Sequence, residues 1–188
     1  MKINFNKLNL GAGKDIRPGY LNHDIADLSG IHSVHNLDEY PWPWDDQSFS
    51  EVVAIDVLEH LDNFVRSVEE IHRILKPKGS VMIRVPYWNS WCAYADPTHK
   101  RGFHEITFQF FDYRSPYYIQ RDYYTKACFK IIDEAFVLSP GEPYFHIPKV
   151  GLIYIRNKLL KKIIGYFGNH FGNIIHDIHI VMQKSDKK

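Results

Sequence analysis

The chain is expected to be an α/β protein, one doubly wound domain on a mainly parallel sheet that is shortened between its first two strands. Three observations carry this reading. Short apolar runs alternate with turn-rich segments and one amphipathic stretch. Phe49–Val57 (FSEVVAIDV) is apolar almost throughout, as befits a parallel strand covered on both faces. A glycine pair, Gly11 and Gly13, stands directly after the first apolar run. Alternation of this kind belongs to doubly wound folds.

The elements follow in order. Leu8–Leu10 closes a first strand, Tyr20–Ile25 forms a second and Ile31–Leu37 a third, before the turn-rich DEYPWPWDDQS. Phe49–Val57 is the fourth. Phe64, Val68, Ile71 and Leu75 then share one helical face, with Arg66, Glu69, Glu70 and Arg73 mostly elsewhere. KPKG is expected to end that helix. Ser80–Pro86 is the fifth strand, and Lys130–Leu138 and Asp177–Gln183 are late strands. No repeat, low-complexity segment or linker interrupts the chain, so its 188 residues are expected to form a single domain.

Composition narrows the function. A net charge of +1 argues against a broad electrostatic grip on nucleic acid. Cys92 and Cys128 supply neither a disulfide framework nor metal-ligand spacing. The opening MKINFNKLNL lacks an apolar signal core, and no apolar run is long enough for a bilayer, so a cytoplasmic protein is expected.

The stretch LNLGAGKDIRPGYLNHDI raises the chemical question. Gly11 and Gly13 let the backbone turn sharply and come close to a ligand. Asp24 ends the next strand, where a carboxylate can accept hydrogen bonds from ribose hydroxyls. A nicotinamide fingerprint would place a third glycine where Ile16 stands, and an acid about 20 residues downstream. Asp24 lies only 11 residues past Gly13. This counts against a nicotinamide-dependent oxidoreductase.

Three blocks, LNLGAGKDIRPGYLNHDI, PWPWDDQSFSEVVAIDVLEHL and SVEEIHRILKPKGSVMIRVP, occur in that order over roughly residues 7–87. Together they resemble the class I S-adenosylmethionine-dependent methyltransferases, whose fold is Rossmann-like. The second block is similar to that superfamily's LPF-x-D-x-SFD segment, with Pro43 and Trp44 for Pro-Phe and Ser50 for the last acid. The third is similar to its E-x-x-R-x-LKPGG segment through Glu70, Arg73, Leu75, Lys76, Pro77 and Gly79, with Lys78 replacing the first glycine. DPTHKRGFHEITFQFF looks like a feature of an uncharacterised small branch of these proteins.

The resemblance implies roles residue by residue. Gly11 and Gly13 would border the methionine part of S-adenosylmethionine, Asp24 would bind its ribose hydroxyls and Asp38 would face the adenine amino group. Asp56 would lie on the acceptor side and could balance the sulfonium charge. The resemblance implies methyl transfer to an oxygen or nitrogen of a small molecule or saccharide. A non-catalytic cofactor-binding or scaffold protein with the same fold is the alternative. A base is needed only where the nucleophile must lose a proton. Asp56, His60 and His99 are the catalytic candidates, although His60 reads equally as a packing residue at a helix start one turn after Asp56.

Residues 88–111 follow the fifth strand, on the rim where α/β folds bind ligands, and are expected to form an acceptor-side lid. Asp96, His99, Arg101 and His104 are its substrate-binding candidates. Their spacing matches no zinc motif, and no metal is expected. Residues 150–167 read as a basic amphipathic helix before the last strand. Its apolar stripe of Leu152, Leu159, Leu160, Ile163, Ile164 and Phe167 is expected to pack on the sheet, with homodimer or membrane contact as the alternative.

Overall fold

The computed structural model describes residues 5–141, 143 and 151–186. Eight strands run through them: β1 (Lys7–Leu10), β2 (Leu21–Asp24), β3 (Ser33–Val34), β4 (Phe49–Ile55), β5 (Leu75–Pro86), β6 (Phe129–Leu138), β7 (Ile153–Ile155) and β8 (Asp177–Lys184). They form one sheet in the order β3-β2-β1-β4-β5-β8-β6-β7. Pairing is parallel from β3 across to β5 and antiparallel from β5 through β8 and β6 to β7. Five helices are interleaved: α1 (Phe64–Ile74), α2 (Cys92–Ala95), α3 (Glu105–Gln109), α4 (Pro116–Gln120) and α5 (Lys158–His170).

Between β1 and β2 the chain makes turns and no helix. Two buried asparagines do the organising. Asn9 on β1 donates from Nδ2 to the Asp15 carbonyl at 2.8 Å and to Asn22 Oδ1 at 3.1 Å. Asn22 on β2 in turn accepts from the Arg17 N–H at 3.0 Å and donates to the Arg17 carbonyl at 3.2 Å. Polar groups at these strand positions satisfy a loop backbone that would otherwise lie against the sheet without partners.

The third strand is shorter than expected. Only Ser33–Val34 pairs with β2, because Asn36 folds its side chain onto the Asp38 N–H at 3.1 Å and turns the chain away. α1 begins where the Asn63 side chain accepts from the Arg66 N–H at 3.0 Å. It buries Phe64, Val68 and Ile71 at the expected spacing, with Ser67 and Ile74 beside them. KPKG does not form a separate stop. Leu75 is already extended and pairs with Phe49, so the chain passes from helix to strand with KPKG inside β5.

Glu70 and Arg73 explain why two of the sequence blocks travel together. Glu70 accepts from the Trp42 N–H at 2.8 Å, and Arg73 holds Glu70 at 2.7 Å, Asp46 at 2.8 Å and the carbonyls of Trp42 and Trp44. The helix thereby clamps the PWPWDD turn. Trp42 donates its indole N–H to the Leu37 carbonyl at 2.9 Å and is buried with Phe49 and Leu37 in the main core. That core continues through Leu8, Val52, Ile83 and Ile180, along both the parallel and the antiparallel strands.

The amphipathic segment differs from expectation, and position 150 lies outside the described residues. Ile153–Ile155 pairs with β6 as an edge strand, and Asn157 caps a later helix by accepting from the N–H groups of Leu159 and Leu160. α5 approaches the sheet through its small residues. Gly165 sits against Phe136 and Gly168 against Ile175, leaving Leu159, Leu160, Ile163, Tyr166 and Phe167 exposed. The glycines bring the backbone itself to the core, and of the expected stripe only Ile164 packs against it. Among the described residues no helix is long and apolar enough to cross a membrane.

Candidate active site

The chain runs from β1 outward to β3, then returns to β4 on the other side of β1. Doubly wound sheets bind ligands at such a reversal, beyond the carboxyl ends of the strands. Gly11 and Asp56 are the first residues past those ends. Gly11 has φ +57° in the left-handed region, and a β-carbon there would lie 2.5 Å from Val57 Cγ2. Only glycine fits. Gly13 also has positive φ, with open space where a side chain would project.

Asp24 closes this turn. Its Oδ2 accepts from the Gly13 N–H at 2.8 Å and its Oδ1 from the Ala26 N–H at 3.0 Å. Each oxygen keeps a further lone pair for a ligand hydroxyl. A cavity of ≈ 610 Å³ opens here, lined by Gly11, Asp24, Asp38, Asp56, Val57 and His60 among others. Its volume lies within the roughly 300–1,000 Å³ of small-molecule sites. Asp38 reaches it but is also engaged by protein donors, the Asp62 N–H at 2.8 Å and the Lys100 ammonium at 3.5 Å.

A second cavity of ≈ 380 Å³ shares Asp56 with the first and is lined by Glu59, Arg84, Trp91, His99 and Asp177, among others. Its charges come in pairs. Asp56 has φ +55° and meets Arg84 at 2.5 Å, while Arg84 Nε lies 3.7 Å from Asp177. Burial alone would lower the Arg84 pKa, but Asp56 and Asp177 outweigh it and hold the guanidinium charged. His176 behaves similarly. Burial opposes its charge, yet Asp177 at 3.0 Å and Cys92 push it up to about 10. Glu59 is different: burial pushes its carboxyl up to about 8, and Asp56 and Asp177 add to the effect.

The sequence candidates separate into two groups. Gly11, Asp24, Asp38, Asp56 and His60 line the first cavity, and Asp56, Asp96 and His99 line the second. No helix joins Asp56 to His60, because α1 starts only at Phe64. A turn brings them together instead, with the His60 N–H donating to the Val57 carbonyl. Burial, then the neighbouring His99, lowers the His60 pKa. Arg101 spends its guanidinium on the carbonyls of Leu61 and Asp62, at 3.0 and 2.9 Å, and fastens the 88–111 segment to that turn. His104 caps α3 through the Ile106 N–H and faces a separate apolar groove with Phe64 and Phe110. Neither lines the first or the second cavity. Glu59, Arg84, His176 and Asp177 escaped the sequence reading. A charge within an apolar run, in DVLEHL and SVMIRVP, was the available signal.

Residues 12–83 match the family model described as a methyltransferase domain. Over those residues the chain is similar to methyltransferase domains. Its fold agrees with solved structures of low sequence identity. A "SAM-dependent methyltransferase, possible histamine N-methyltransferase" from Thermotoga maritima superposes with TM-score 0.60 at 14% identity, over 96% of this chain and 82% of that one. A SAM-dependent methyltransferase from Archaeoglobus fulgidus gives 0.58 at 18% identity, over 96% and 88%. A Burkholderia thailandensis 1,6-didemethyltoxoflavin-N1-methyltransferase, solved with S-adenosylhomocysteine, gives 0.52 at 15% identity, over 96% and 71%. Comparison with curated proteins finds no match.

The cofactor that this similarity implies is S-adenosylmethionine. The first cavity fits it on its own chemistry: a turn that excludes a β-carbon at Gly11, and a carboxylate, Asp24, with lone pairs to spare for a diol.

Proposed function

We propose that the protein transfers the methyl group of S-adenosylmethionine to an oxygen or nitrogen of a small polar molecule or saccharide. The observation that carries this reading is the second cavity, which meets the cofactor-side cavity at Asp56 and is walled by paired charges and Trp91. Bound S-adenosylmethionine supplies an electrophilic methyl on a good leaving group, so the protein's part is chiefly orientation. Gly11, Gly13 and Asp24 would hold the cofactor, with Asp38 towards its adenine. Arg84 and protonated His176 are donors for acceptor oxygens, and Trp91 offers a flat wall for a ring.

Residues 88–111 are the lid in this reading, with Asp96 and His99 turned towards the acceptor. Asp56 is tied to Arg84, which favours a role in positioning over one as base. With no ion on its Nε2, the neutral imidazole of His60 can take a proton at the boundary of the two cavities. The domain is read as acting alone or as a homodimer on a cytoplasmic small molecule, without nucleic acid. A screen of hydroxylated and amine metabolites with methyl-labelled cofactor tests the proposal. Label should enter a polar small molecule; labelling confined to protein or RNA would overturn it.

A further inference from the structure

Glu59 is fully buried, and neither of its carboxylate oxygens has a hydrogen-bond partner. Such a group costs stability unless something compensates it. His99 Nε2 lies 3.9 Å from Glu59 Oε1, too far for a hydrogen bond. The His99 ring is itself only 4.7 Å, centroid to centroid, from that of His60. One ligand atom from each of Glu59, His60 and His99 falls within 4.8 Å of the other two. Donors around one tetrahedral ion stand about 3.4 Å apart, given bonds near 2.1 Å. A small rotation of the side chains closes that gap.

The surroundings of His60 already fix its tautomer. Thr98 Oγ1 donates its single proton to Asp96 Oδ1 at 2.6 Å, so at 2.9 Å from His60 Nδ1 it must accept. Nδ1 therefore carries the proton, and Nε2 presents a lone pair. A histidine oriented through its other nitrogen in this way is the usual arrangement around a metal. The second grouping of possible ligands, Cys92, His176 and Asp177, differs. There Asp177 is committed to Arg84 and His176, and the Cys92 thiol donates to the His176 carbonyl at 3.3 Å.

We propose that Glu59, His60 and His99 form a binding site for one divalent transition-metal ion. Two imidazoles and a carboxylate suit zinc, iron(II) or manganese and disfavour calcium. Glu59 and His60 come from the turn after β4, and His99 from the 88–111 segment. His60 lines the cofactor-side cavity, whereas Glu59 and His99 line the other. The ion would stand in the wall between them and tie the segment to the sheet. The inference does not depend on which acceptor is methylated.

The test is a titration of chelator-stripped protein with zinc against a chromophoric competitor, repeated with cobalt(II) to record ligand-field bands. One equivalent is expected to bind. Glu59→Gln, which preserves shape, and His99→Ala should each weaken uptake at least about a hundredfold. Cys92→Ser should leave it unchanged, and retained S-adenosylhomocysteine binding will show that each variant is folded. If Glu59→Gln fails to fold, His99→Ala decides. Failure of the folded wild-type protein to take up one equivalent overturns the site. So does uptake that survives both ligand variants, or that is lost in Cys92→Ser.

Discussion

Around the cofactor-side cavity the polar contacts belong to a backbone turn and to Asp24, whereas around the second cavity they belong to charged side chains that hold one another. Gly11, Gly13 and Asp24 lie within one short stretch, and the loop that joins them is closed by its own hydrogen bonds. Asp56, Arg84, His176 and Asp177 come from distant parts of the chain and meet only because β5 lies between β4 and β8. The first arrangement is a local solution that a short sequence pattern can encode. The second exists only after the sheet has assembled. One cavity can therefore be damaged by a backbone change and the other by breaking a charge pair, and substitutions can separate them.

Gly11→Ala should have the largest effect. A side chain in the left-handed region and a collision with Val57 together cost about 2–4 kcal/mol. Denaturant melts should show this loss, together with loss of S-adenosylhomocysteine binding. Gly13→Ala meets open space and should cost less; the reverse order would mean that the turn is not the rigid part of the cradle.

Arg73→Ala comes next. It strips Glu70 and two carbonyls of a charged donor, at about 2–3 kcal/mol by the same melts. Cofactor affinity in the folded protein should hardly change, because the clamp lies away from the cavity. A selective loss of affinity would make the clamp part of the site.

Asp24→Ala then compares the cavities directly. Losing a charge-assisted acceptor should weaken S-adenosylhomocysteine binding by about 1.5–3 kcal/mol, or roughly ten- to more than a hundredfold by calorimetry. Asp177→Asn, in the other cavity, should leave that affinity within about threefold, a change of only some 0.6 kcal/mol. Equal losses in the two variants would mean that the cavities act as one.

The charge-paired cavity should also show a pH dependence. His176 is held near 10 when folded, against 6.5 for a free imidazole. Its contribution to stability is therefore complete below about pH 6.5 and is lost as the pH rises through 10. Thermal melts of wild type and His176→Gln should differ most at pH 6 and converge by about pH 10. A gap that widens with pH would reverse the sign and refute the pairing with Asp177.

The same contrast decided how much was readable in advance. The parallel strands, the missing crossover helix and the stripe of α1 follow from spacing alone, and Glu70 and Arg73 stood out as a motif. The tertiary use of Arg101 and His104 could not be read, because a polar loop does not reveal which backbone carbonyls or helix ends its side chains will meet. Glu59 was hidden for the opposite reason: in DVLEHL it resembles an ordinary exposed acid beside a helix, and only the closed fold shows that water is excluded from it. The α5 stripe misled because glycine, which carries no hydrophobic signal, docks the helix with only Ile164 of the stripe beside it.

The position of β8 has a consequence for the making of the protein. The strand that completes the sheet is inserted between β5 and β6, although it comes after both in the chain. While the polypeptide is being synthesised, the parallel half can assemble early, but β5 keeps an unpaired edge until residues near Lys184 have emerged. For that interval the nascent chain presents an open apolar strand to its surroundings, the condition under which unfinished sheets associate wrongly. A chain cut short within its last strand would carry the cofactor turn intact and still be a hazard to itself.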